Sequence, residues 1–220
     1  MNIPLLHIIH GQHFWLSPQR SVYWEEEKTI IVSDTHFGKT GHFRKSGIAV
    51  PQQVYKEDLQ RFFSLATELK PERIVVVGDF FHSSANEEIN LFLKWKNDFN
   101  GLQITLVKGN HDILGNSWYE NANIQIIDQF YTIGPFSFQH DPAEDHHKLD
   151  GNAFVFSGHI HPGIQIKGTG KQSLRFPCFY FSKNQCILPA FSKFSGLAIV
   201  KPKKQDQVYA ITNDSIIKLA

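Results

Sequence analysis

Five short runs of apolar and β-branched residues recur along this chain: TIIVS at 29–33, RIVVVG at 73–78, LQITLVKG at 102–109, PFSFQ at 135–139 and AFVFSG at 153–158. Each is short, nearly continuous in apolar character and rich in residues that suit a pleated surface, so each reads as a buried strand. Each also stops at polar residues of the same few kinds. Asp34-Thr35-His36 follow the first run, Asp79 the second, Asn110-His111-Asp112 the third, His140-Asp141 the fourth and His159-Ile160-His161 the fifth. In α/β sheets, ligand sites form just beyond the carboxyl ends of strands. Five strand ends carrying Asp, Asn and His are therefore expected to converge on one place.

Between the first two runs the spacing predicts a helix. Pro51 stands at a start position, Tyr55, Leu59, Phe62, Phe63, Ala66 and Leu69 form an apolar stripe, and Pro71 stops it. A second helix is predicted over about 85–97, where Ser84 and Glu87 have the spacing of a capping box. From about 124 onward the pattern is nearly all short strands, ending in GLAIV (196–200), QVYAI (207–211) and SIIKL (215–219), which would close a second sheet. A βα half followed by a β-rich half predicts two mostly β layers with helices outside. At 220 residues, 41% hydrophobic and 20% charged, the chain can bury one full core, and residues 1–220 are read as a single domain.

No run of about 18 apolar residues occurs, so no membrane-spanning helix is expected. The segment MNIPLLHIIHGQHF lacks the pattern of a secretory leader, and a cytoplasmic protein is expected. A net charge of +1 is not the footprint of a strongly basic nucleic-acid binder, so any such contact needs a local patch. Cys178 and Cys186 flank the turn-like Ser182–Asn184 in an apolar segment, which predicts a hairpin carrying two buried free thiols.

Carboxylate, amide oxygen and imidazole together suit manganese, iron or zinc, while the absence of CxxC spacing argues against a thiolate-built zinc site. Two ions about 3.5–4 Å apart need a shared ligand, usually a carboxylate. The i, i+2 spacing of Asp34/His36 and of His159/His161 would put each pair on one side of an extended segment. Gly78, Gly109 and Gly158, beside Asp79, Asn110 and His159, would permit sharp turns and close backbone approach.

The ordered set Asp34-x-His36, Gly78-Asp79, Gly109-Asn110-His111-Asp112 and Gly158-His159-x-His161 resembles the signature of the calcineurin-like metallophosphoesterases. That resemblance implies a four-layer αββα sandwich of two mixed β-sheets flanked by helices, holding two divalent metal ions. It implies Asp34, His36 and His161 on one ion, Asn110, His140 and His159 on the other, and Asp79 bridging both. His111 would act on the substrate phosphate, with Asp112 orienting its ring, and the nucleophile would be a hydroxide activated between the two ions.

SDTHFGKTGHFRKSGIAVP (33–51), GDFFHS (78–83), GHIHPG (158–163) and the late CFYF and LPAF strings are similar to the narrower family of DNA-ligase-associated phosphoesterases, the PdeM family. This implies manganese as the metal and a DNA endonuclease or phosphodiesterase linked to repair, with an ATP-dependent DNA ligase and a helicase as partners. The basic stretch after the first motif assigns His42, Arg44 and Lys45 to substrate phosphate, alongside Lys39. His82 is grouped with them as a substrate-binding residue, the other readings being a support for a ligand or a helix-start residue. His7, His10, His13, His146 and His147 read as surface or structural, and the aromatics Phe176, Phe179, Tyr180, Phe181, Phe191 and Phe194 as core. The alternatives are a phosphodiesterase for cyclic or small nucleotides using the same site, and a non-catalytic scaffold on the same fold.

Overall fold

The computed structural model describes residues 3–45, 47, 52–82, 87–99, 101–142, 153–168, 170 and 172–219, with the backbone alone at 42, 44, 45, 52, 54, 55 and 87. In chain order the first half gives β1 (Leu5–Ile9), β2 (Gln12–Ser17), β3 (Ser21–Trp24), β4 (Thr29–Val32), α1 (Lys39–Lys45), α2 (Gln52–Leu69), β5 (Arg73–Val77), α3 (Glu87–Lys96), β6 (Gln103–Val107), α4 (Asn116–Asn121) and β7 (Ile124–Ile127). The second half gives β8 (Phe130–Ile133), β9 (Phe136–Gln139), β10 (Phe154–Ser157), β11 (Pro162–Lys167), β12 (Ser173–Phe181), β13 (Gln185–Ile187), β14 (Ala198–Ile199), β15 (Gln207–Ile211) and β16 (Ile216–Lys218).

Strands β1 to β7 form one sheet in sequence order, antiparallel from β1 to β4 and parallel from β4 to β7. The second sheet runs β14-β11-β12-β13-β10-β9-β8, with β15 and β16 added on β12. Period-2 alternation sorts the first sheet onto two cores. Ile30, Val32, Ile74 and Val76 face the helices, meeting Leu59, Phe62 and Phe63 of α2 and Ile89 and Phe92 of α3. Ile31, Val75 and Val77 face the other way, onto Phe136, Phe138, Phe154, Phe156 and Phe179 of the second sheet. Each fully buried Phe or Leu contributes roughly 1.5–3 kcal/mol relative to exposure. The two mixed sheets are as expected. Of the two helical layers, the described residues form the one on the first sheet, and among them no helix follows Asn121.

The meander β1–β3 was not among the expected strands, because His7, Gln12 and His13 interrupt its apolar pattern; its signal is the alternation that buries Phe14 and Leu16. Residues 39–45, read as a basic loop for substrate phosphate, form α1 instead. Buried Thr40 ties this helix to α3 by donating its hydroxyl hydrogen bond to Glu88. Pro51 and Ser84, and the side chains of Tyr55 and Glu87, lie outside the described residues, as do His146 and His147. Both cysteines are free and buried, and β12 and β13 pair antiparallel across the expected turn. Phe194 departs from the core assignment at 38% exposure, while Phe179, Phe181 and Phe191 are buried.

Candidate metal centre

Parallel pairing of β4, β5 and β6, and of β9 with β10, brings five carboxyl ends to one edge of the sandwich. The loops that follow are zipped by their backbones. Asp34 N donates to Gly78 O at 3.1 Å, His36 N to Asp79 O at 2.9 Å, Phe37 N to Phe80 O at 2.9 Å and His82 N to Phe37 O at 2.9 Å. The extended geometry expected for Asp34/His36 and His159/His161 is not what forms. Asp34 (φ 52°), His36 (49°), Asp79 (51°), His159 (67°) and His161 (54°) all take left-handed backbone conformations. These residues come just after their strands end, so strand alternation no longer orients them. Non-glycine residues in this region cost on the order of 1–3 kcal/mol each and cluster at functional sites. Close approach explains two glycines: a Cβ at Gly78 would lie 1.9 Å from His140 Nδ1, and one at Gly109 would lie 2.2 Å from Asp79 Oδ1.

Two adjoining groups result, and their donor atoms can each hold a cation. In the first, Asp34, His36 and His161 each place a ligand atom within 4.8 Å of the others, with His36 Nε2 to His161 Nε2 at 3.2 Å and His161 Nε2 to Asp34 Oδ1 at 3.3 Å. In the second, His140 Nε2 faces Asp79 Oδ1 at 3.4 Å, Asn110 Oδ1 at 3.2 Å and His159 Nδ1 at 3.1 Å. Asp79 reaches both, since its Oδ2 lies 3.9 Å from His36 Nδ1. Asp34 also contacts the second motif, accepting the His159 amide at 3.1 Å.

The chemistry of this donor set fits metal ions. His140 Nδ1 lies 3.2 Å from the carbonyl oxygen of Val77, which can only accept, so a hydrogen bond there puts the proton on Nδ1. In the neutral ring Nε2 is then a lone pair aimed at two oxygens, an arrangement that a cation between them relieves. Buried His36 Nδ1 has no hydrogen-bond partner among the described residues. Burial, with Lys39 and three neighbouring histidines adding to it, pushes the His36 imidazole far below its ordinary pKa. The neutral ring is the form that ligates metals.

His111, 44% exposed in its side chain, borders this centre with Nε2 at 4.0 Å from Asp79 Oδ2, while its amide donates to Asp79 Oδ1 at 2.9 Å. His82 lies over it, ring centroids 4.1 Å apart. The Asp112 carboxylate makes other contacts than the ring-orienting one that the resemblance implies. Its Oδ1 accepts the amides of Phe80 (2.9 Å) and Phe81 (3.0 Å), and its Oδ2 that of Gly109 (2.9 Å). These contacts cross-brace the β5 and β6 loops and leave the His111 ring unaddressed. Burial raises the Asp112 carboxyl to about 6 against the pull of the three amides. The side chains of His42, Arg44 and Lys45 lie outside the described residues.

The model of the calcineurin-like phosphoesterase family matches residues 27–163, a span holding every strand end described above. The chain belongs to the calcineurin-like phosphoesterase family. It is accordingly a hydrolase of phosphate esters. Among solved structures, this phosphoesterase is similar to the Pseudomonas putida nuclease MPE at 26% identity and a TM-score of 0.82, over 98% of this chain and 100% of that one. It also matches Yfce, a phosphoesterase from E. coli, at 15% identity and a TM-score of 0.46, over 87% and 98% of the two chains. A search of the curated proteins finds no match.

The phosphoesterase supports its first ligand loop from a direction the sequence did not disclose. Phe191 N donates to Ser33 O at 2.8 Å and Ser192 N to Asp34 O at 3.1 Å, laying the LPAF segment beside the Asp34 turn. That segment is held in turn by three charged residues. Arg20 Nη1 donates to Ala190 O (3.2 Å) and Ser192 O (2.8 Å), Arg61 donates to Phe191 O, and Asp58 accepts the Lys193 amide at 3.0 Å. Arg61 pairs with Asp58 at 3.0 Å with both side chains at most 10% exposed. Arg61→Met is expected to leave Asp58 short of a partner and to cost about 3 kcal/mol, the low end for a broken buried pair. In a chain of this size that lowers Tm by roughly 6–12 °C; a thermal midpoint within 2 °C of the parent, about the shift for 1 kcal/mol, would deny the clamp its role.

Proposed function

We propose that this phosphoesterase is a phosphodiesterase of the DNA-ligase-associated family, with DNA as its substrate and a role in repair. The observation that carries the reading is the convergence of Asp34, His36, Asp79, Asn110, His140, His159 and His161 into two adjoining groups, with Asp34 common to both and Asp79 facing His36 of one and His140 of the other. The choice of nucleic acid is supported by similarity along nearly the whole chain to a protein described as a nuclease. When bound, two divalent ions, manganese by preference and iron or zinc otherwise, would supply Lewis acidity and a nucleophile at neutral pH. Asp34, His36 and His161 would hold one, Asn110, His140 and His159 the other, with Asp79 between them. His111 would donate to the phosphate or protonate the leaving oxygen. His82 would support the His111 ring, and His42, Arg44 and Lys45 on α1 are assigned to substrate phosphate. The proposal includes one domain across residues 1–220, a cytoplasmic location, and delivery of DNA by a ligase and helicase.

The test is manganese-dependent hydrolysis of single-stranded and duplex DNA beside bis- and mono-p-nitrophenyl phosphate. Diester and DNA cleavage without comparable monoester turnover is expected. Robust monoester turnover without diester cleavage would overturn the phosphodiesterase reading. Diester cleavage without action on DNA would move the substrate to cyclic or small nucleotides.

A further inference from the structure

With a net charge of +1, a nucleic-acid substrate needs a local cationic grip, and one lies beside the metal centre. A cavity of about 490 Å³ is lined by Arg20, Arg175 and Lys193 together with Thr212, Asn213 and Asp214. Its position follows from strand register. β3 runs antiparallel to β4 with Val22 opposite Ile31, so Arg20 sits at the end of β4 from which Asp34 emerges. β12 runs antiparallel to β11 with Pro177 opposite Gly163, so Arg175 sits close to the residues that follow His161. Lys193 directly follows Ser192, whose amide holds Asp34 O at 3.1 Å. With consecutive Cα atoms about 3.8 Å apart, Lys193 Cα lies within about 10 Å of Asp34 Cα.

The lining carries three cations against one carboxylate, Asp214. Among the described residues neither Arg175 nor Lys193 has a side-chain ion pair, and both are exposed. Arg20 is anchored to the carbonyls of Ala190 and Ser192, which fixes its fork at the cavity wall. Burial, and Arg61 nearby, lower its pKa to about 10, which leaves it charged at neutral pH. Guanidinium forks and ammonium groups are the chemistry of phosphodiester oxygens.

We propose that this cavity is a second phosphate-binding subsite, which holds the backbone of a nucleic-acid substrate away from the bond being cut. The inference rests on the nucleic-acid reading above. The strand would pass from the metal centre along the 190–193 segment, with Arg175 and Lys193 closing on a flanking phosphate.

The test uses the Arg175→Ala/Lys193→Ala protein, loaded with manganese, on single-stranded oligonucleotides at several salt concentrations. KM is expected to rise about tenfold. The slope of log KM against log salt should shrink by about 0.7, the value for the one phosphate that is no longer neutralised on a single strand. Lys201→Ala/Lys204→Ala, which removes two exposed cations outside the cavity, controls for net charge. An equal rise from that pair, an unchanged KM in the Arg175/Lys193 protein, or the same change on bis-p-nitrophenyl phosphate would each overturn the inference. If the parent cuts DNA and the variant matches it, the subsite alone falls. If the parent cuts no DNA, the nucleic-acid reading falls and the subsite falls with it.

Discussion

Asp79→Asn is expected to abolish turnover and to release at least one metal ion. The substitution keeps the shape of the side chain and removes the charge that faces both ligand groups, at 3.9 Å from His36 Nδ1 and 3.4 Å from His140 Nε2. Asp79 is buried, and its Oδ1 already accepts the His111 amide at 2.9 Å, so its position is set before any ion arrives. An amide with its oxygen on that side would preserve this hydrogen bond, and folding should survive. Two cations side by side repel each other, and a shared carboxylate offsets that; a neutral amide does not. Losing several kcal/mol of electrostatic stabilisation corresponds to a rate drop of at least about 10³. Metal content of the purified variant, measured beside bis-p-nitrophenyl phosphate hydrolysis, decides the matter. Two tightly held ions and full turnover would remove Asp79 from the bridging position.

The candidate ligands could be read from the sequence because metal chemistry restricts residue types and the α/β fold restricts where they stand. Five strands ending in Asp, Asn or His leave little else for Asp34, Asp79, Asn110 and His159 to do. What could not be read has a common physical cause: it depends on directions taken after the regular element ends. Alternation says where a side chain points within a strand, and says nothing about the left-handed turns at Asp34, His36, His159 and His161. For the same reason Asp112, next in the chain to His111, turns inward to the amides of Phe80, Phe81 and Gly109. The Arg20–Asp58–Arg61 clamp joins a β-turn, a helix and a late loop with no periodic spacing, so long-range packing alone reveals it. His140, carried by a single residue in the sequence, stands 3.2 Å from Val77 O and faces Asn110 and Asp79, contacts that only the folded chain discloses.

His111→Ala is expected to separate catalysis from metal binding. The backbone amide of residue 111 anchors Asp79 at 2.9 Å, and alanine keeps that amide, so the ligand loop should hold its shape. What is removed is an imidazole at the rim, 44% exposed, with its Nε2 at 4.0 Å from Asp79 Oδ2 and the His82 ring tilted against it at 4.1 Å between centroids. A group so placed can reach a phosphate oxygen or a leaving oxygen bound at the metal centre, while its exposure leaves it open to substrate. General acid–base groups contribute about 10²–10⁴ in rate, so kcat should fall by that factor with metal content near the parent's. The His82 ring remains, 5.2 Å from the His36 ring against 5.7 Å for His111, so the residual rate measures how far it can stand in. Steady-state kinetics on a diester with matched metal analysis separates the outcomes. Loss of an ion would make His111 a ligand, and an unchanged kcat with normal metal would return the proton-transfer role to solvent.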